Sequence, residues 1–511
     1  MSFLKKLWLQ QMTRLASTSS ALYYSFLWPL AFLGTLFLLA FPVIAFLAIA
    51  SLAALIFLVN PMTWQNSDWI LATSLLTTSA YAGWVSFGLF KQHPELPAGK
   101  PLDSKLFSVL ADRIDELCTT YQSPEIHDIK LTTRFRIQLV RTPTNGFPSK
   151  FKNTLLIGLP VMTCMSPLQF KLLLARQVGH LSTKRYRYTR QLVHLRQIWN
   201  SYAHYYSQRW RADTILLRLF FSWYAPFYNL SSVAATRLEA FAKDKLMLDI
   251  TTPARAAEAI AVFEIKKRYL ATSFWPRLND AAYASAKPPY LPYTAMAPMM
   301  SKALDHDANY AQNCYEAAIN RQVIDSSELP NLMKRLSAID FEDFIMPEPN
   351  DDKAADHFLG EHQKDLLKQM DNIWFLKNKV IWSKRYKQGV EERRRLKLLR
   401  EQAAKALLSN SEAREYLLLI DKYIDAKKAL PLFKEIVRTN SMDPDVCYEL
   451  GRLLLEADDV SGIDALKIAM EADPSKTAES CQYIVTYMAN HGHVKEAQHY
   501  RRMILEHQVS H

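Results

Sequence analysis

The chain has 511 residues, 49% of them hydrophobic, and a formal net charge of +12. That length allows two or three domains, and a basic, apolar-rich balance fits a protein partly embedded in a membrane. Five scattered cysteines (Cys118, Cys164, Cys314, Cys447, Cys481) have no metal-ligand or redox spacing. They exclude a disulfide framework and read as free thiols in a reducing compartment. Only 12 glycines argue for a mainly helical protein.

Residues 1–21 carry Lys5, Lys6 and Arg14 and no acid, and from Ser25 to Val59 no residue is charged. A span needs about 20 apolar residues, so this run exceeds one span and is short for two. It is too long for the core of a secretory signal. The expectation is one long span, about residues 27–59, kinked at Pro42 or bent at the interface, and a second at about 69–90; a hairpin in the first run would make three spans and put the large domain on the other side. The polar loop between them holds Trp64 but no Lys or Arg. Cations lie before the first span and after the second (Lys91, Lys100, Lys105), which places both ends, and the large domains, in the cytoplasm.

Pro94, Pro97 and Pro101 mark a linker. Asp103 can cap a helix whose apolar face is Leu106, Val109, Leu110, Ile114 and Leu117. Phe135 to Val140 alternates as a half-buried strand should, and Thr142 to Gly146 is a turn signal. Ser166-Pro167 reads as a helix start.

Leu172 to Ser182 reads Leu-Leu-Leu-Ala-Arg-Gln-Val-Gly-His-Leu-Ser. Zinc-binding helices carry His-Glu-x-x-His: two imidazoles one turn apart hold the metal, and the Glu polarises the attacking water. Here Arg176 stands at the first His, Gln177 at the Glu, and only His180 remains. A guanidinium has no free lone pair for zinc, and a neutral amide cannot take a proton from water. A lone His on an apolar helix is more often packed or surface-exposed than a ligand.

In this order of features the chain resembles the HtpX-type (gluzincin) membrane metallopeptidases over roughly residues 100 to 365. Asn153 to Val161 is similar to the edge strand that runs beside bound substrate. Arg237 to Asp244 resembles the family's Glu-x-x-Ala-Asp helix, with Glu239 at the third zinc ligand, Ala242 at the Ala and Lys243 in place of the Asp. Pro330 to Leu336 resembles the His-Pro-x-x-x-x-Arg element, with Leu329 for its His and Arg335 for its Arg. The resemblance implies a zincin-like α+β domain and metal positions His180 and Glu239, with Arg176 and Gln177 as degenerate catalytic positions. It leads to the expectation that the Arg176 cation pairs with Glu239 where zinc would sit.

Between His180 and Trp210 cations alternate with aromatics and no acid appears. This suits nucleic acid or an anionic lipid surface, and lipid is favoured beside a membrane anchor. Leu216 to Leu230 is apolar enough to lie against the bilayer, broken at Pro226, and Arg218 makes it a poor span. Ser273-Phe-Trp275 with Pro276, Pro288, Pro289 and Pro292 reads as a proline-aromatic loop that could line a peptide groove or simply pack on the surface. Residues 346–356 read as a domain edge. Lys377 to Lys405 is a basic helix with Trp374 and Trp382 near its start, either a solvated face or a patch for a membrane or acidic partner. From Glu412 the pattern is of paired short helices of approximate tetratricopeptide period, with Ala429, Ala465 and Ala497 at helix crossings and Asp443-Pro444 and Asp473-Pro474 ending units.

The expected protein is mainly α with a small β-sheet, N-terminal transmembrane helices and C-terminal helical repeats. Its parts are an anchor (1–92), a metallopeptidase-like domain (93–365), a basic connector (366–408) and the repeats (409–511). The expected function is a multi-pass membrane scaffold or regulator, a pseudo-metallopeptidase without cofactor, binding a protein or peptide partner through groove and repeats. The alternative is an active zinc metalloendopeptidase whose third ligand is His194 or His204.

Overall fold

The computed structural model describes residues 3–59, 61–90, 98–103, 105–143, 151–182, 187–208, 214–305, 307–319, 330–341, 352–405, 408–424, 429, 431–433, 443–491 and 493–510. The chain forms two compact units. One comprises Met1–Pro276 with Tyr290–Phe375, and the other Arg277–Pro289 with Leu376–His511. The anchor therefore belongs to the same unit as the central domain, and the expected connector is shared between the two.

In the first unit, α1 (Phe3–Thr18) leads into α2 (Ser20–Leu58), one uninterrupted helix that includes Pro29 and Pro42. This settles the apolar run as a single element. At 1.5 Å per residue its 39 residues extend about 58 Å. Among the described residues it alone is long and apolar enough to cross a membrane. The expected second span is α3 (Asn66–Phe90), which packs along α2 but is diluted by Thr73, Ser74, Thr77, Thr78 and Ser79. Several of these hydroxyls bond back to carbonyls of their own helix, such as Thr77 Oγ1 to Thr73 O at 2.9 Å.

A four-stranded mixed sheet follows: β1 (Lys100–Pro101), β2 (Asp128–Thr132), β3 (Ile137–Pro143) and β4 (Phe151–Gly158), in the order β1-β2-β4-β3. β2 and β4 run parallel and the other pairs antiparallel. β4 is thus an inner strand and β3 the outer one, which corrects the expectation that Asn153 to Val161 forms an edge. Residues 159–161 already belong to a helix. Between β1 and β2, α4 (Ser108–Thr120) begins after Phe107, later than Asp103 suggested. It buries Leu110, Ile114 and Leu117 while leaving Leu106 and Val109 exposed. The turn signal at 144–146 lies outside the described residues.

β4 passes directly into α5 (Leu159–Cys164) and then α6 (Pro167–Val178). The start of α6 is dictated locally. Ser166 Oγ accepts from Gln169 N, Gln169 Oε1 accepts from Ser166 N, and Pro167 occupies the first turn, where its missing N–H costs nothing. α7 (Arg187–Ser207), α8 (Ile215–Ser231) and α9 (Val233–Lys245) come next. α8 runs through Pro226 unbroken.

Trp199 and Tyr206 of α7 are buried among Phe221, Tyr224 and Tyr228 of α8 and the N-terminal half of α2. Those aromatics of the basic-aromatic stretch are therefore core. Arg196 is buried too, and its Nη1 donates to Asn229 O (2.9 Å), Ser232 Oγ (3.0 Å) and Thr236 Oγ1 (3.3 Å) across the α8–α9 junction.

α10 (Pro253–Tyr269) continues through a π-turn (Leu270–Phe274) into α11 (Trp275–Ala284), so Ser273 to Pro276 is helical and not a loop. α12 (Pro292–Leu304), α13 (Ala308–Ile319), α14 (Leu332–Ser337) and α15 (Ala354–Leu359) complete the first unit's core with the start of α16 (His362–Ala403). Buried Asp371 of α16 caps α12, accepting from Tyr293 N (2.8 Å) and Thr294 N (3.1 Å). Ala354 and Ala355, read from sequence as a domain edge, are core.

The second unit is helical. α17 (Asn410–Tyr423) is followed by helices Pro444–Glu456, Gly462–Ala472, Thr477–Asn490 and Val494–Ser510. Asp443 opens a helix and does not close one: its carboxylate accepts from Asp445 N and Val446 N. Two of its helices approach closely at Gly451 and Gly462. A Cβ on either would come within 2.5–2.7 Å of the other's carbonyl oxygen. Ala429 and Ala497 are buried and Ala465 is half-buried.

Candidate functional site

The positions singled out by the sequence converge at the C-terminal end of α6, where it meets α9, α10 and α14. α6 stops at Val178, and Gly179–Leu181 form a 3₁₀ turn. The freed carbonyls are taken up by side chains. Ser123 Oγ donates to Val178 O at 2.8 Å, and Arg190 Nη1 donates to the carbonyls of His180, Leu181 and Ser182. Arg190, part of the basic run, thus closes a helix end.

The tighter turn separates two residues that a continuous helix would hold on one face. His180 turns to Glu239: its Nε2 lies 3.0 Å from Glu239 Oε1. Lys243 Nζ, one turn along α9, lies 2.7 Å from the same oxygen. Arg176 instead reaches Asp244, Nε to Oδ1 at 2.6 Å. The expected Arg176–Glu239 pair is therefore replaced by two separate groups. Residues 239 and 244 are five apart, about 140° around a helix of 3.6 residues per turn, so α9 presents its two carboxylates in different directions.

The Asp244 group is an ion network spread over four helices. Arg335 of α14 binds Asp244 through two nitrogens, Nε to Oδ2 at 2.8 Å and Nη2 to Oδ1 at 3.0 Å. Its Nη1 meets Glu264 Oε1 of α10 at 2.9 Å. Two guanidiniums face two carboxylates in a buried place, and the partly exposed Lys267 Nζ lies 3.4 Å from Glu264 Oε2. Burial alone would push the Asp244 carboxyl up, but Arg176 and Arg335 outweigh it and hold it below the usual carboxylate range.

His180 is kept neutral, well below the usual histidine range, by burial first and then by Lys243, Arg190 and Arg176. His194 on α7 is pushed down to about 4, by burial and by Arg141 and Arg190. A histidine neutral in the fold takes up a proton more readily when unfolded. The stability that this neutrality confers is full above the unfolded value near 6.5 and falls as pH drops below it, by up to ~1.4 kcal/mol per unit for each such histidine. We expect the thermal midpoint of the full chain in detergent to fall between pH 7 and pH 5, and His180→Gln to flatten that slope. An unchanged slope in the variant would show that His180 does not titrate on unfolding.

Of the sequence-predicted residues, His180 and Glu239 come together and Arg176 lies beside them in its own ion pair. Gln177 is half-buried next to Arg176. His204, offered as a substitute ligand, is exposed and lies 3.1 Å from Gln208 Nε2. Among the described residues no three His, Cys, Asp or Glu side chains are grouped so as to hold a metal ion, His194 included. The donor set at the site is one imidazole and one carboxylate, the latter already covered by an ammonium.

Sequence reasoning missed Asp244 and Glu264. Asp244 is the first acid after Glu239 and was passed over because Lys243 fell on the motif position. Nothing near Glu264 in the sequence points to Arg335. Compared with protein-family models, with curated proteins and with solved structures, the chain finds no match in any of the three.

Proposed function

We propose that this chain is a membrane-anchored, metallopeptidase-like protein that has exchanged catalysis for binding, acting as a scaffold or regulator for a protein or peptide partner. The observation that carries the reading is the Lys243 ammonium 2.7 Å from Glu239. A protein cation neutralises the carboxylate that an HtpX-type enzyme would give to zinc. Arg176, at the first ligand position, is committed to Asp244, and the amide of Gln177 can serve no general-base role.

The partner would use the outer edge of β3 beside α6, where an extended segment can add to a sheet. It would also use the helical hairpins of the second unit, which we read as tetratricopeptide-like because successive pairs pack on one another. α2 and α3 are read as a hairpin through the bilayer, with both units on the cytoplasmic side. Lys5, Arg14, Lys100 and Lys105 flank the hairpin and none lies within it.

Metal analysis of the purified full chain tests this directly. We expect far less than one zinc per chain and no casein cleavage that a chelator blocks. Stoichiometric zinc with chelator-sensitive cleavage would overturn the reading in favour of a peptidase with an unorthodox site.

A further inference from the structure

α2 is nearly twice as long as a bilayer's hydrocarbon core is thick, about 58 Å against about 30 Å. Its two halves have different neighbours. From Tyr23 to Phe41 its buried side chains join the aromatic core made by α7 and α8. α8 runs antiparallel to it: Tyr23 Oη donates to Ser231 O (2.8 Å), Tyr224 Oη to Leu30 O (2.6 Å), and Phe37 stacks on Phe220 at 3.9 Å. Gly34 leaves room for this seat, since a Cβ there would meet the Tyr224 and Trp199 rings at 2.8–2.9 Å. The N-terminal end of α8 is therefore level with the middle of α2. Beyond that level, Leu39 to Leu58 is 20 residues, about 30 Å, one hydrocarbon thickness.

The outward faces of α7 and α8 differ in kind. α7 exposes Gln191, Gln197, Asn200, Ser201 and His204. α8 exposes Ile215, Leu216, Leu219 (63%) and Trp223 (54%), and past Trp223 it exposes no large apolar side chain. On α8 the large apolar exposure is thus confined to its N-terminal end, beside the stretch of α2 that exposes Phe32, Leu33 and Leu36. The tryptophan of α8 is of the type that settles at headgroup depth.

We infer that the first three turns of α8 are a second membrane contact: Ile215, Leu216, Leu219 and Trp223 dip into the headgroup–acyl boundary beside α2, while α7 faces water. The occupant is lipid, because this surface continues that of the span and ends where the helix rises out of it. The inference rests on the reading of α2 as a span.

The experiment is spin-label accessibility on the full chain in lipid nanodiscs, with Leu219→Cys, Leu47→Cys in the second half of α2, and Asn200→Cys on α7. The unsubstituted chain, treated with the label, corrects for native thiols. Oxygen should relax the labels at 219 and 47 more than a water-soluble nickel chelate does, and the order should reverse at 200. A lipid-like label at 47 with a water-like or wholly shielded label at 219 would overturn the inference and leave the span standing. A water-like label at 47 would overturn the span itself, and the inference with it. A lipid-like label at 200 would overturn the assignment of faces.

Discussion

Asp244→Asn is expected to destabilise the first unit by about 3–5 kcal/mol, the range for breaking a buried ion pair by removing one partner. The Asp244 side chain is fully buried, and its two oxygens accept three charge-assisted bonds, two from Arg335 and one from Arg176. The amide is isosteric, so the loss is one of charge. Two guanidiniums would then face only Glu264, and one of the amide's two ends would present N–H to a cation. Arg176→Ala should cost less, about 1–3 kcal/mol, because the bidentate Arg335 bond survives and the Arg176 side chain is 13% exposed.

Thermal unfolding of the full chain in detergent, followed by intrinsic fluorescence, should therefore rank wild type above Arg176→Ala above Asp244→Asn. Equal midpoints for wild type and Asp244→Asn would show that the network does not hold these four helices together. The acid limb follows from the same charges. Asp244 and Glu264 are both held below their ordinary values, so their contribution is complete above about pH 4 and disappears as pH falls further. That loss is separate from the histidine slope, which begins near pH 6.5.

Gly158→Ala should be the second most damaging small change, costing about 1–3 kcal/mol or more. Gly158 closes β4 at the step into α5, and its backbone is ordinary, with φ −72°. The demand is one of space. An added Cβ would lie 2.0 Å from the carbonyl oxygen of Arg134 and 2.9 Å from that of Arg136. Both obstacles are backbone, and Gly158 N donates to Arg136 O at 2.9 Å, so no rotamer change relieves the clash. Either the link between β2 and β3 moves or the β4–α5 junction does, and α6 is carried by that junction. Gly83→Ala is the matched control, since a Cβ there meets nothing within 4 Å and alanine is the better helix former. A Gly158→Ala protein that melts with the control would mean that the β2–β3 link yields without cost.

What was legible in the sequence was local. The start of α6 was readable at Ser166-Pro167 because its capping box closes within four residues. The mainly helical character followed from the scarcity of glycine, and the strand near 135–140 from its alternation of charged and apolar residues. The long apolar run was visible, and the break expected at Pro226 is not made, because α8 continues through it. A helix packed along neighbours tolerates what an isolated one does not.

The site was half legible. His180 and Glu239 were named from their place in a resemblance, and they do meet. The partner of Arg176 was misassigned because spacing of four was taken to mean one helix face, whereas α6 ends two residues before His180. The network through Asp244, Glu264 and Arg335 links positions up to 159 residues apart in number, and no local pattern encodes such pairing. Sheet order was equally invisible, since β2 and β4 pair in parallel across β3, which precedes β4 in the chain.

The seat of Tyr23 has a practical corollary. Its hydroxyl donates to Ser231 O, and Ala235 N donates to it in turn, so the apolar helix is stitched into the corner that turns α8 into α9. Cutting the chain after residue 97 would strip Trp199, Phe221, Tyr224 and Tyr228 of one wall and orphan an amide in the first turn of the helix that carries Glu239. The apolar helices and the domain they pack on form one compact unit, and neither can be studied as a detachable half.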